Sequence, residues 1–234
     1  MNQTRGYINR ILLVMVPLLF MSYGLANDIY VTQSGDTLDL DITQDGQNNT
    51  VGNSTTSSSS VGATTTLNID QVGNSNVITY AINGATYTGV INLVGNSNNV
   101  DLNCDSTGNN SSCGTANAVI NFTGSSNDID LDIGQTTSAN NADVDIVGQS
   151  GSDSNVVAAT VDGNSAILTI TVNGDTNNWL IDIDGNGDVN GHTLIHSHTG
   201  GIADVDIVQS GVNDQMINLT TSGDNHDIDI SQTD

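Results

Sequence analysis

Along most of the chain, apolar and polar residues alternate one for one in short runs separated by glycine. The clearest runs are Leu38-Asp39-Leu40-Asp41-Ile42, Asp128-Ile129-Asp130-Leu131-Asp132-Ile133, Asp143-Val144-Asp145-Ile146, Asp204-Val205-Asp206-Ile207 and Asp227-Ile228-Asp229-Ile230. Period two puts every apolar side chain of a run on one face, so each predicts a half-buried β-strand. The best-preserved stretch is Leu67 to Ile82. Leu67, Ile69 and Gln71 share one face before a turn at Gly73, and Asn76, Ile78, Tyr80 and Ile82 share one after it. A glutamine and an asparagine therefore bracket the turn on the side expected to be buried.

The turn glycines recur. Gly35 and Gly46 are 11 residues apart, as are Gly73, Gly84 and Gly95; Gly151, Gly163, Gly174 and Gly185 follow at 12, 11 and 11, and Gly211 and Gly223 at 12. Two kinds of turn alternate. Three residues after Gly46, Gly73, Gly95, Gly124 and Gly174 stand Asn49, Asn76, Asn98, Asn127 and Asn177, whereas Leu38, Tyr87 and Ala166 follow Gly35, Gly84 and Gly163. The repeat is thus 22 residues, two strands and two unlike turns. Gln33, Gln44, Gln71 and Gln209 stand two residues before a turn glycine; before Gly95, Gly124, Gly174 and Gly223 that place holds Leu93, Phe122, Val172 and Thr221.

Such a unit cannot bury its apolar face alone, but stacked copies can. The expectation is an all-β protein: one β-solenoid over residues 27–234, forming a rod of roughly 35–45 Å at about 4.8 Å per coil. Interruptions are expected near 53–66, 104–117 and 187–201, with a polar break at 136–141. A lone buried amide is expensive. In a ladder each carboxamide bonds to its copy one coil away, which satisfies both its donors and its acceptors.

Gln44-Asp45-Gly46-Gln47-Asn48-Asn49-Thr50-Val51 and Gln71-Val72-Gly73-Asn74-Ser75-Asn76-Val77-Ile78 resemble the curlin repeat, roughly Q-x-G-x-x-N-x-A. The resemblance covers most of residues 28–234 as a pattern and is close in about four units. It implies a secreted subunit or nucleator of curli-like amyloid fibres, a solenoid with internal Gln and Asn ladders, and self-association or contact with other curli-like subunits. It also implies an extracellular, cell-surface setting with roles in matrix, adhesion and biofilm. Half the Gln positions are lost here, and the Asp load is heavier than the family pattern.

Composition sharpens this picture. Residues 1–26 read as a secretory signal: Arg5 and Arg10, an apolar run Ile11 to Met21, then Gly24-Leu25-Ala26 before the expected cleavage. The run is shorter than the roughly 20 residues of a membrane span. All 26 acidic residues are aspartates beyond that point, and the two arginines are the only Lys or Arg, so cleavage takes the net charge from −24 to −26. Nucleic acid and anionic membrane are excluded as partners; high salt, divalent cations or a positively charged partner suit the surface. Composition alone fits a disordered chain, but the periodicity argues against it. The absence of Glu and Lys also argues against helix.

Candidate chemistry is sparse. Cys104 and Cys113 are expected to form one structural disulfide. Asp182, Asp184, Asn186 and Asp188 have the spacing of a calcium loop, but Thr193 stands where a closing carboxylate is needed, and an ordinary solenoid turn is the preferred reading. His192, His196 and His198 could gather a divalent metal, although solvated loop positions are the simpler expectation. No Lys or Arg remains to bind an anionic glycan or its transition state, so no enzyme is expected and no cofactor beyond that calcium. The alternative to a fibre subunit is a monomeric acidic solenoid acting as an adhesin, surface-layer or phage-fibre module with a cell-surface partner.

Overall fold

A computed structural model describes residues 28–46, 48–52, 55, 57–104, 113–134, 141–149, 151–163, 165–184, 192–211 and 215–233. The expected signal segment, residues 1–26, lies outside them. In chain order the strands are β1 Asp28–Ile29, β2 Thr32–Ser34, β3 Thr37–Asp45, β4 Thr50–Val51, β5 Ser58–Val72 and β6 Val77–Val94. Then come β7 Asn99–Cys104, β8 Thr115–Thr123, β9 Asp128–Ile133, β10 Asn141–Gly148, β11 Val156–Asp162 and β12 Ala166–Asn173. The last five are β13 Asn177–Asp184, β14 Thr193–Thr199, β15 Ala203–Ser210, β16 Met216–Ser222 and β17 His226–Thr233. No helix occurs among the described residues.

Every pairing is parallel and joins one coil to the next. Face A stacks β3, the second part of β5, the second part of β6, then β8, β10, β12, β14 and β16. Face B stacks β1 with β2, β4 with the first part of β5, the first part of β6, then β7, β9, β11, β13, β15 and β17. The fold is the β-solenoid that the period predicts. The described strands both start and finish on face B, which therefore carries one rung more than face A.

Alternation within each strand turns into columns along the rod. The register of face A lines up Ile42, Ile69, Ile91, Ile120, Ile146 and Ile170, followed by His196 and Leu219. A neighbouring column reads Gln44, Gln71, Leu93, Phe122, Gly148, Val172, His198, Thr221. Volume is balanced within it: a Cβ on Gly148 would come within 2.7 Å of the Phe122 ring and 2.8 Å of Val172. Face B contributes Ile29, Val51, Ile78, Val100, Ile129, Val157, Trp179, Val205 and Ile228. Each fully buried Ile or Leu contributes roughly 1.5–3 kcal/mol relative to exposure.

The interruptions are shorter than the sequence suggests. Residues 58–66 belong to β5, whose inward Ser58, Ser60 and Thr65 are buried. These hydroxyls are tolerated because they are bonded: Ser60 Oγ lies 3.0 Å from Thr65 Oγ1, and Ser58 Oγ accepts the Val31 N–H at 3.0 Å. Thr115 to Asn117 already belong to β8, and Thr193–Thr199, inside the interruption expected at 187–201, is β14.

Candidate functional site: the amide column and the solenoid ends

The turn from face A to face B is nearly the same in each coil. Gly46, Gly73, Gly95 and Gly124 open it, and the residue two places on is left-handed: Asn48, Ser75, Ser97 and Ser126, with φ between 57° and 60°. Gly95, at φ 143°, has no room for a side chain without a backbone shift, since a Cβ would overlap the carbonyl oxygen of Gly73. Gly211 belongs to the opposite corner, between β15 and β16.

Behind each such turn stands the asparagine column. Asn49 N–H donates to Asn76 Oδ1 at 3.0 Å, Asn76 N–H to Asn98 Oδ1 at 3.1 Å, and Asn98 N–H to Asn127 Oδ1 at 3.0 Å. Asn127 N–H continues to Asn155 Oδ1 at 2.8 Å, and Asn155 N–H to Asn177 Oδ1 at 3.0 Å. Six asparagines are thereby joined, all buried. Asn155 is a member that glycine spacing misses, because its turn carries buried Ser152 where the other coils have glycine. The sequence signal it shares with the column is the Ser-Asn pair, Ser154-Asn155 as in Ser75-Asn76, Ser97-Asn98 and Ser126-Asn127, the serine being left-handed in each.

The ladder differs in kind from the expected one. The oxygens bond backbone, because a corner N–H leaves the sheet and needs another acceptor. Amide-to-amide bonds run only from Asn127 Nδ2 to Asn155 Oδ1 (3.1 Å) and from Asn155 Nδ2 to Asn177 Oδ1 (3.2 Å). The Nδ2 groups of Asn49, Asn76 and Asn98 are buried without a hydrogen-bond partner among the described residues, so the full satisfaction expected of a ladder is not reached. The column also stops: Ala203 and His226 follow Asn177 in register.

The glutamines do not form one line. Gln71 Nε2 donates to Gln44 Oε1 at 2.7 Å on face A. Gln33 and Gln209 are on face B, at the far corner; Gln209 accepts from Gln232 at 3.2 Å and donates to the His192 carbonyl at 3.3 Å, whereas Gln33 donates to the Thr37 carbonyl at 3.4 Å.

The histidines are core residues, which corrects the solvated-loop expectation. His196 and His198 are buried in β14, His192 is nearly so, and His192 Nδ1 accepts the Ala166 N–H at 3.1 Å. His196 packs edge-on against Trp179 with ring centroids 5.4 Å apart, and His198 against His226 at 5.1 Å. Burial holds His196 down at about 4, with His198 adding to the effect; burial likewise lowers His198. No group of three or more metal-binding side chains is assembled among the described residues. Of the candidate calcium loop, Asn186 and Asp188 lie outside those residues, while Asp182 and Asp184 close β13 in register with Val208 and Ser210. Cys104 and Cys113 are disulfide-bonded with Cα atoms 5.7 Å apart, and both are buried.

Outward carboxylates are mostly kept apart by neutral neighbours. Asn68 donates to Asp41 at 2.8 Å and Asn92 to Asp70 at 2.6 Å. Aspartates whose described side chains stack on one another lie on face B: Asp101 with Asp130, Asp204 with Asp227, and Asp206 with Asp229. Partial burial raises Asp130, and Asp101 and Asp128 raise it further.

Both ends of the rod leave strand edges open among the described residues. At the N-terminal end β3 pairs only with β5, and carries Asp39, Asp41 and Asp45. At the C-terminal end β16 pairs only with β14 and β17 only with β15. β16 reads Met-Ile-Asn-Leu-Thr-Thr-Ser, with no charge at all. Ile217 and Ile228 pack on the core but are only half-buried, and Ile230 is 49% exposed. No protein-family model matches this chain, nor does any curated protein or solved structure match it significantly.

Proposed function

We propose that the protein is a secreted structural subunit or nucleator of curli-like fibres, assembling in the extracellular matrix by adding rungs across its open ends. The observation that carries this reading is the pair of end edges left unpaired among the described residues, on a continuous stack of inward columns. An uncovered strand edge is a template for another chain, and here the inner columns break off at Leu38 and Leu40 on one side and at Ile217 and Ile228 on the other. The buried Asn column and the Gln44–Gln71 pair add to the likeness with the curlin repeat. No catalytic role is assigned. The partner is another copy or a related subunit, and residues 1–26 supply the export signal on this reading.

The charge favours a second reading. A mature chain of 26 aspartates and no Lys or Arg repels its own copies at low salt. A discrete acidic rod bound to a cell surface is therefore the alternative, with cations as the discriminating variable. Mature protein incubated with sodium or calcium at equal ionic strength should give dye-binding fibrils with a meridional repeat of about 4.8 Å, faster with calcium. Protein that stays monomeric and dye-negative in both salts would leave the discrete rod as the surviving reading.

A further inference from the structure

We propose that the C-terminal end of the solenoid is a self-association surface on which a second copy docks tail to tail, β16 of each copy pairing with β17 of the other. The proposal rests on the reading that the chain assembles through its ends, and it specifies the polarity of the contact.

The first ground is rung parity. The described strands begin with β1 and β2 and finish with β17, all on face B. In a head-to-tail pair, β1 and β2 of the next copy would occupy the level beyond β17. Its β3, half a turn further along, would then sit one rung beyond the level that β16 offers, leaving face A a rung short; turning that copy by 180° about the rod axis closes the rungs but lays β3, with Asp39 and Asp41, against β17, with Asp227 and Asp229. A two-fold axis across the rod, parallel to the strands, has no such gap. It exchanges the two faces, bringing β17 of one copy into the plane of the other's β16, and each half-coil step fits the other. The resulting pairs are antiparallel, and the contact is isologous and closed.

The second ground is charge. β17 presents Asp227 and Asp229 outward, already stacked on Asp204 and Asp206 of β15. A third row of carboxylates there would deepen the repulsion. The outward residues of β16 are Met216, Asn218, Thr220 and Ser222, all neutral and exposed. The tail-to-tail pair thus sets aspartates beside an amide and hydroxyls, the arrangement that Asn68–Asp41 and Asn92–Asp70 make within the chain. A head-to-tail contact instead adds carboxylates to the acidic side, Asp28 of β1 in one setting and Asp39 and Asp41 of β3 in the other. The third ground is the core: Ile217, Leu219 and Ile228 are only half-buried and Ile230 is exposed, and the two-fold contact covers them with their own counterparts.

Sedimentation of the mature chain across concentration at 0.15 M and 0.5 M sodium chloride should give a dimer. The double variant Asn218→Asp/Thr220→Asp, which alters only exposed side chains, should dissociate at least tenfold more readily with unchanged circular dichroism. Asp39→Asn/Asp41→Asn, at the other end, should leave dimerisation unchanged. Independently of any folding effect on those variants, a spin label at Ser231 should report a short intermolecular distance, and one at Asp39 should not. Polar filaments with short Asp39-to-Ser231 contacts would overturn the tail-to-tail polarity while leaving the fibre reading intact. A chain monomeric at every concentration, with neither label close, would overturn both.

Discussion

At the scale of single residues, the two side chains that matter most are ones whose role depends on the column they enter. Asn127 accepts the Asn98 backbone N–H and donates to both Asn155 and the Gly124 carbonyl. Asn127→Ala should lower unfolding stability by about 1–3 kcal/mol, because it leaves a buried N–H without an acceptor; denaturant titration checks this. His196 is the opposite case, a ring between Ile170 and Leu219 in its column with neither nitrogen hydrogen-bonded among the described residues. His196→Ile should raise stability by about 1 kcal/mol even after losing the Trp179 edge contact. The same site sets a pH response. The folded value of about 4 lies below the ordinary 6.5, so between those limits the unfolded chain binds the extra proton. Stability then falls as pH drops through that window, by on the order of 3 kcal/mol. Asp130 acts in the reverse sense: its folded value is raised, so protonation at lower pH relieves a folded-state penalty. A thermal-melt series from pH 7 to 3 should decline to a minimum near the lower end of the histidine window, and His196→Ile should flatten the decline.

At the scale of elements, the strands were legible because alternation in Asp-x-Asp runs is unambiguous, and the asparagine turns because Gly and Asn recur three apart. What was not legible had physical causes. Ser58, Ser60 and Thr65 look like a polar excursion, yet they face inward because they bond each other and the backbone. Leu194, His196 and His198 form a strand whose period two is hidden when histidine is counted as polar. Asn155 was invisible to a glycine count because Ser152 replaces the glycine. The grouping of glutamines into separate pairs depends on which corner each occupies, which no local pattern encodes. The turn itself admits a clear test. Gly95→Ala combines a left-handed φ with an overlap on the Gly73 carbonyl, so it should destabilise by about 1–3 kcal/mol or more, seen as a lower denaturation midpoint.

At the scale of the whole molecule, stability is a sum over neighbouring rungs, weakest at the ends, and opposed by charge. Reducing the Cys104–Cys113 bond, which closes a sequence separation of 9 residues, should lower stability by about 2–3 kcal/mol, measured by denaturation with and without reductant. Raising sodium chloride should raise the melting temperature, because screening weakens repulsion among the stacked aspartates of face B. The spacing down the asparagine column has a further consequence. Successive members are 27, 22, 29, 28 and 22 residues apart, yet the turn that carries them hardly changes. Most of the surplus chain leaves at the other corner, between Cys104 and Thr115 and between Ile133 and Asn141, and the rest lies inside face B between Val51 and Ser58 and in the turn between Gly148 and Val156. The rod therefore has a plain edge and a written one. Lengthening or shortening a coil along that edge leaves the rungs in register: β7 pairs with β9 and β8 with β10 although the chain between Cys104 and Thr115 is longer than that between Ile133 and Asn141.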